Sequence, residues 1–166
     1  PAYQLERRAD IFFSIYLPEL LEERYGLEIE GLVPEFPLRI GTIYPRADTN
    51  RSVKVDYLVR ARGSNTVVLV ELKTDDRSRR SKQDWYLERA QEVGLAALLL
   101  GLAPTVHKRK YRCLLEKLED LGLITVEPDG LFLAAGEPYD VRVVYLQPNE
   151  GTKARTSSEP SSPWGQ

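Results

Sequence analysis

Two carboxylates and one ammonium group in the middle of the chain have the types and spacing of a reactive centre. Residues 66–73 read as a strand that ends in Glu71-Leu72-Lys73, so Glu71 and Lys73 should leave it on one face. Asp56 lies fifteen positions before Glu71 (71 − 56), on a neighbouring predicted strand. Converging carboxylates repel each other, and a divalent cation relieves that repulsion.

The chemistry expected of such a centre is hydrolysis of a phosphodiester with Mg²⁺ or Mn²⁺. Hard cations accept carboxylate and peptide oxygens, here from Asp56, Glu71 and the Leu72 carbonyl, and keep room for water and a phosphate oxygen. Lys73 would orient the attacking water or stabilise developing negative charge. The chain has one histidine and one cysteine, which excludes a His-rich or Cys-rich zinc site and leaves oxygen ligands.

A hairpin is the element that must bring these side chains together. Residues 53–60 alternate, and the pattern predicts one face with Val53, Val55, Tyr57 and Val59 and the other with Lys54, Asp56, Leu58 and Arg60. Gly63-Ser64-Asn65 marks a turn into the strand at 66–73. Asp56 and Glu71 therefore meet if their faces match.

The surrounding pattern predicts an α/β layered domain, a mixed sheet flanked by helices in the order α-β-β-β-α-α-β. A first helix covers 3–25 and ends at Gly26, with an apolar stripe of Leu5, Phe12, Ile15, Tyr16 and Leu20. Further predicted elements are an extended segment at 34–44, helices at 82–102 and 105–121, and strands at 131–134 and 140–147.

Length and composition bound the class of protein. The pattern predicts one domain over 1–150 and a polar tail at 151–166 that cannot order by itself. With 23 basic and 25 acidic residues the net charge is −2, so any contact with nucleic acid must use a local basic patch. The longest apolar run, 93–103, is too short to span a bilayer, and the lone cysteine fits a cytoplasmic protein.

The motif residues resemble the PD-(D/E)XK nuclease superfamily. Val55-Asp56 matches the first half of its motif and Glu71-Leu72-Lys73 the second, although the family often has proline where this chain has Val55. That departure bears on backbone shape and not on metal ligation. The resemblance implies a restriction-endonuclease-like core and a Mg²⁺- or Mn²⁺-dependent nuclease, with DNA as the expected substrate. A homodimer is common in enzymes of this type.

The resemblance also implies supporting residues on the flanking helices. Family members carry an acidic residue on the first helix, for which Glu6 is the best match and Asp10 the reserve, and a subset carries a glutamine that Gln83 matches. A basic cluster follows the motif strand and would hold a nucleic-acid backbone: Arg77, Arg79, Arg80 and Lys82. A second basic cluster comprises His107, Lys108, Arg109, Lys110 and Arg112.

Ordinary structural roles remain open for each of these residues. Glu71 and Lys73 could form a surface ion pair, and Asp56 could pair with Lys54 or Arg60. The expectation for Trp85 and Tyr86 is a core role rather than base stacking; His107 is expected at the surface and Cys113 on a buried helix face. Functional alternatives are a catalytically silent nucleic-acid-binding module on the same fold, or a protein-interaction module that uses the helix at 105–121.

Overall fold

The computed structural model describes the backbone of residues 2–45, 51–73, 81–134 and 138–146, and their side chains except those of 2–13 and 81–83. The predicted tail at 151–166 lies outside this part of the chain. The helices are α1 (Ala2–Tyr25), α2 (Ile40–Ile43), α3 (Ser81–Leu100) and α4 (Arg112–Asp120), with 3₁₀ turns at Ala103–Thr105 and Arg109–Tyr111. The strands are β1 (Ile29–Arg39), β2 (Ser52–Ala61), β3 (Thr66–Leu72), β4 (Ile124–Glu127), β5 (Gly130–Leu133) and β6 (Asp140–Leu146).

A mixed sheet forms the centre of the molecule, in the order β1-β2-β3-β6. The first two neighbouring pairs are antiparallel and β3–β6 is parallel. A parallel pair needs a long crossover, and α3 and α4 lie in the segment that supplies it. The α/β class with a mixed sheet and flanking helices is therefore confirmed. The structure adds α2 and β4 to the predicted elements, and β4 pairs with β5, the strand predicted at 131–134.

Each face of the sheet has its own apolar core. On one face, Leu17 and Leu21 of α1 pack with residues of β2 and β3 that include Tyr57 and Val70. The other face packs against α3 and α4. The predicted stripe of α1 is wrong at three positions: Ile15 is 66% exposed, and Tyr16 and Leu20 are also exposed. Leu5 and Phe12 lie outside the described side chains. The part of α1 at 15–21 carries apolar residues on more than one side, so packing against the sheet, and not the periodicity of the sequence, decides which side is buried.

Strand β1 ends earlier than the extended segment predicted at 34–44. Its partner β2 begins at Ser52, which pairs with Arg39, so the chain beyond Arg39 has no ladder on this side to extend. The chain turns into the short helix α2 and buries Ile43 completely. The ends of β1 and β3 and the start of β2 consequently share one end of the sheet, where α2 begins.

The two helices predicted at 82–102 and 105–121 both differ from expectation: the first is interrupted, and the second begins later. Gly94, with φ 80° and ψ 163°, interrupts α3 in a conformation that glycine adopts without a Cβ penalty. Thr105 Oγ1 donates to the Leu102 carbonyl at 2.6 Å in the turn after α3. This local bond competes with helix continuation, and α4 begins only at Arg112. Cys113 is exposed, contrary to expectation, because α4 buries Leu115 and Leu118 instead.

Among the helices in the described ranges, none is long and apolar enough to cross a membrane.

Candidate active site

The candidate site lies where β2 and β3 part, at the same end of the sheet as α2. Val67 and Leu69 pack on the α3 face, whereas Val68 and Val70 pack on the α1 face, so β3 alternates as its sequence predicts. Lys73 Nζ lies 2.9 Å from Glu71 Oε1, and the two side chains are only 3% and 6% exposed. The Glu71–Lys73 pair is therefore an ion pair, but a buried one.

At the end of β3, the Asp56 side chain takes the place of a backbone hydrogen-bond acceptor from β2. The β2–β3 ladder reaches Tyr57–Val70, and its next step sets Asp56 opposite Glu71. Asp56 Oδ2 accepts a hydrogen bond from the Leu72 backbone N–H at 2.7 Å. The carboxylate thus bonds a strand-end N–H, while β3 stays paired to β6 as far as Leu72.

The Leu72 carbonyl turns to the same side as Asp56. The next N–H, that of Lys73, donates to the Leu146 carbonyl of β6 at 2.8 Å. The Leu72–Lys73 peptide is trans, since the described residues contain no cis peptide. A trans peptide points its C=O and N–H in opposite directions, so the Leu72 carbonyl points away from β6 and toward β2. Two carboxylates and one peptide oxygen are therefore set around the gap between β2 and β3.

A backbone irregularity in β1 faces Asp56. Glu35 has φ 51°, the one positive value among non-glycine residues in the described part of the chain. The register places Glu35 opposite Asp56, between the Pro34–Tyr57 and Phe36–Val55 pairs. At this step the alternation of β2 also breaks, because Val55 packs on the α3 face and Tyr57 on the α1 face. The prediction that Val55 and Tyr57 share a face is therefore wrong.

The pKa of Glu71 reflects both its burial and its charged neighbours. Burial raises the pKa of Glu71 above its ordinary value of 4.5. The hydrogen bond and charge of Lys73 lower this pKa, and the nearby Asp56 carboxylate raises it. The balance remains upward mainly because burial disfavours the charged carboxylate, with the Asp56 charge as a smaller cause.

Lys54 and Arg60, the two possible ion-pair partners of Asp56, pair with other carboxylates. Lys54 Nζ lies 2.7 Å from Glu35 Oε2, and Arg60 Nε lies 3.1 Å from Glu30 Oε2. Both lysine and arginine thus have carboxylate partners on β1. Asp56 accepts a hydrogen bond from the backbone of β3, where it helps to fix the strand end that carries Glu71.

The donor set suits a hard cation. Asp56, Glu71 and the Leu72 carbonyl offer oxygens only, which Mg²⁺ and Mn²⁺ prefer, with water completing the shell. Within residues whose side chains are described, no group of three or more His, Cys, Asp or Glu could hold a metal ion. The protein would thus supply two carboxylates and a peptide oxygen from this region.

Several predicted residues lie outside what the structure describes. Glu6 and Asp10 belong to α1, and Lys82 and Gln83 to α3, but the side chains of all four fall outside the described set. Arg77, Arg79 and Arg80 lie in the segment 74–80, which is also outside it. Their assignment to the site remains a prediction.

The second basic cluster is exposed and borders a cleft of about 560 Å³. Lys54 and Glu35 line this cleft from the sheet, and Lys110 and Tyr111 line it from the turn before α4. Lys110 Nζ lies 5.0 Å from the centre of the Tyr111 ring. Glu35, which lines the cleft, is opposite Asp56 in the register, but Asp56 and Glu71 do not line the cleft themselves.

Sequence reasoning missed an aromatic pair and a buried cation at this end of the sheet. Trp85 is 40% exposed rather than buried, and it contacts Tyr44, which is 42% exposed. Arg39 is buried and donates to Ser52 Oγ at 3.4 Å. No local pattern marked Tyr44, because its position depends on the unexpected helix α2.

Comparisons with models of protein families, with curated proteins and with solved structures each found no match. The resemblance to the PD-(D/E)XK superfamily therefore depends on the motif residues themselves and on their arrangement at the parting of β2 and β3.

Proposed function

We propose that this protein is a Mg²⁺- or Mn²⁺-dependent nuclease of the PD-(D/E)XK type, with a restriction-endonuclease-like core. One observation carries the proposal: Asp56, Glu71 and the Leu72 carbonyl surround one gap between two strands, with Lys73 bonded to Glu71. Burial, and to a smaller extent the nearby Asp56 carboxylate, raise the pKa of Glu71, and a cation in that gap would stabilise both carboxylates in their charged form.

Each group has a distinct part in the proposed reaction. Asp56, Glu71 and the Leu72 carbonyl would hold the metal ion, which supplies Lewis acidity and lowers the pKa of a bound water. Lys73, fixed by its 2.9 Å bond to Glu71, would orient the attacking water and stabilise negative charge on the phosphate. Glu6 and Gln83 are proposed as supports on the two flanking helices.

The substrate proposed is nucleic acid, with DNA first. A phosphodiester backbone needs local positive charge, because the chain is slightly acidic overall. The exposed second basic cluster supplies such charge in the described part of the chain, and its Lys110 lines the cleft. Arg77, Arg79, Arg80 and Lys82 are proposed to add to it.

A cleavage assay tests the proposal. The protein is incubated with single-stranded, duplex and branched DNA, and with single-stranded RNA, in Mg²⁺, Mn²⁺ or EDTA. We expect metal-dependent cleavage that falls by roughly 10²- to 10³-fold in Lys73→Ala and in Asp56→Asn. Two exposed positions give matched controls: Lys117→Ala on α4 and Asp129→Asn in the β4–β5 turn should cleave as wild type does.

Calorimetry with Mn²⁺ separates loss of chemistry from loss of the site. Wild type and Lys73→Ala should bind the metal, whereas Asp56→Asn should not, because it lacks a charged ligand. Equal cleavage by wild type, Asp56→Asn and Lys73→Ala would refute the assignment of the site. Absence of both cleavage and metal binding would refute the enzyme and leave a silent nucleic-acid-binding module.

A further inference from the structure

An exposed aromatic pair lies at the junction of α2 and α3. The ring centres of Tyr44 and Trp85 are 5.8 Å apart at an interplanar angle of 70°. Trp85 also contacts Tyr86, with ring centres 5.2 Å apart, and Tyr86 packs against the core. Trp85 thus contacts two rings while 40% of it faces solvent.

The pair lies at the same end of the sheet as the candidate site. Tyr44 directly follows α2, which begins where Arg39 pairs with Ser52. Asp56 is four residues further along β2 (56 − 52), a distance of about 13 Å at the rise of a strand. The aromatic pair lies beyond Ser52 and Arg39, next to the four-residue helix α2, so a strand of nucleic acid that passes Asp56 would have to extend past Ser52 to reach it.

Exposed rings in fixed positions have a specific use in nucleic-acid binding. A base stacks on an aromatic face whatever its sequence, and the face must be available and the base unpaired. Trp85 and Tyr44 are 40% and 42% exposed, and at an interplanar angle of 70° they do not bury each other's faces as a parallel stack would. The orientation of Trp85 is already set by Tyr44 and Tyr86, so little side-chain freedom is lost on binding.

We propose that Tyr44 and Trp85 form a stacking platform for an unpaired base of single-stranded nucleic acid whose backbone passes the Asp56–Glu71 gap. This inference rests on the proposed nuclease function, because that function supplies the substrate class. It makes single-stranded ends, flaps or open regions the preferred substrates over intact duplex.

Tryptophan fluorescence can test the platform directly. The chain has two tryptophans, Trp85 and Trp164, so Trp164→Phe leaves Trp85 as the sole reporter. This protein is titrated in EDTA with oligothymidylate, with oligouridylate, and with a duplex of equal length. Either single strand should quench Trp85 on binding, and the duplex should quench it much less.

Affinity measured by anisotropy of a labelled strand assigns the effect to the rings. Trp85→Ala should weaken single-strand binding by roughly tenfold, within the range for loss of one stacked base, and Tyr44→Ala by less. Trp85→Phe should restore most of the affinity. Phe132, 45% exposed on β5, gives the matched control, and Phe132→Ala should bind as wild type does. Circular dichroism verifies that each variant is folded.

The outcomes separate this inference from the proposed function. Unchanged Trp85 fluorescence on addition of either single strand, equal quenching by duplex, or equal affinity of Trp85→Ala and wild type would overturn the platform, even if the protein cleaves DNA. Quenching and Trp85-dependent affinity without cleavage in any metal would uphold the platform and overturn the nuclease.

Discussion

Asp56→Asn should change the stability of the metal-free protein with opposite signs at high and low pH. The substitution removes the charge that faces Glu71 but keeps a side-chain oxygen for the Leu72 N–H. At high pH the dominant effect is relief of repulsion between two carboxylates. At low pH Glu71 takes up a proton, and the dominant effect is the weaker hydrogen bond.

The magnitude follows from the cross-strand positions. Side chains opposite each other on neighbouring strands are about 5 Å apart, and at an effective dielectric of about 20 two charges at that distance repel by about 3 kcal/mol. The Lys73 ammonium, 2.9 Å from Glu71, offsets part of this, so we take about 2 kcal/mol as the relief. Replacing a charge-assisted bond by a neutral one costs about 1 kcal/mol. The net is about 1 kcal/mol stabilising near pH 8 and about 1 kcal/mol destabilising once Glu71 is protonated.

Urea denaturation in EDTA, followed by circular dichroism from about pH 8 down to the ordinary carboxylate pKa of 4.5, measures this change. Asp129→Asn, at an exposed turn, is the control and should show no sign change. If Asp56→Asn were destabilising by the same amount at every pH, Asp56 and Glu71 would not interact as described, and the repulsion that a cation in the gap would relieve would be absent.

Three further outcomes are expected. In EDTA the contribution of Glu71 to the free energy of unfolding is fully present below its ordinary pKa of 4.5 and is lost as the pH rises through its raised pKa. This loss of stability should be absent in Glu71→Gln. If wild type and Glu71→Gln showed the same dependence of stability on pH, the raised pKa would be contradicted. Saturating Mn²⁺, at about 100 times its Kd, should stabilise wild type by about 2.7 kcal/mol, seen as a higher Tm, and should leave Asp56→Asn unchanged. Leu21→Ala should cost about 2–5 kcal/mol in urea denaturation and Leu20→Ala well under 1 kcal/mol, because α1 buries only the former; equal costs would contradict the face assigned to α1.

The elements predicted well are those whose local pattern leaves few choices. Strands β2, β3 and β6 fall within two residues of the expected bounds, because apolar alternation and the turn at Gly63 define them. Helix α1 ends at Tyr25 as expected, since Gly26 has φ 64° and its N–H bonds the Glu22 carbonyl at 2.8 Å. The alternation of β3 also placed Glu71 and Lys73 on one side.

The remaining features depend on contacts that no local pattern contains. Helix α2 exists because the β1–β2 pairing ends at Arg39, and the exposure of Trp85 depends on where α2 then lies. The hydrogen bond from the Leu72 N–H to Asp56 can be predicted only when the pairing of β2 with both β1 and β3 is known. A period of two placed Asp56 near Glu71 but did not reveal that β2 changes face at this point.

Because Glu35 lies opposite Asp56, its left-handed backbone in the edge strand β1 affects how Asp56 and Glu71 are spaced. Residue 35 takes no part in the proposed reaction, yet its backbone lies opposite Asp56. A scan of substitutions should find this position sensitive to backbone preference and tolerant of charge: glycine and asparagine fit a positive φ, whereas valine or isoleucine does not. Glu35 is thus a place from which the spacing of the two acids could be tuned, in an engineered variant, without replacing either acid.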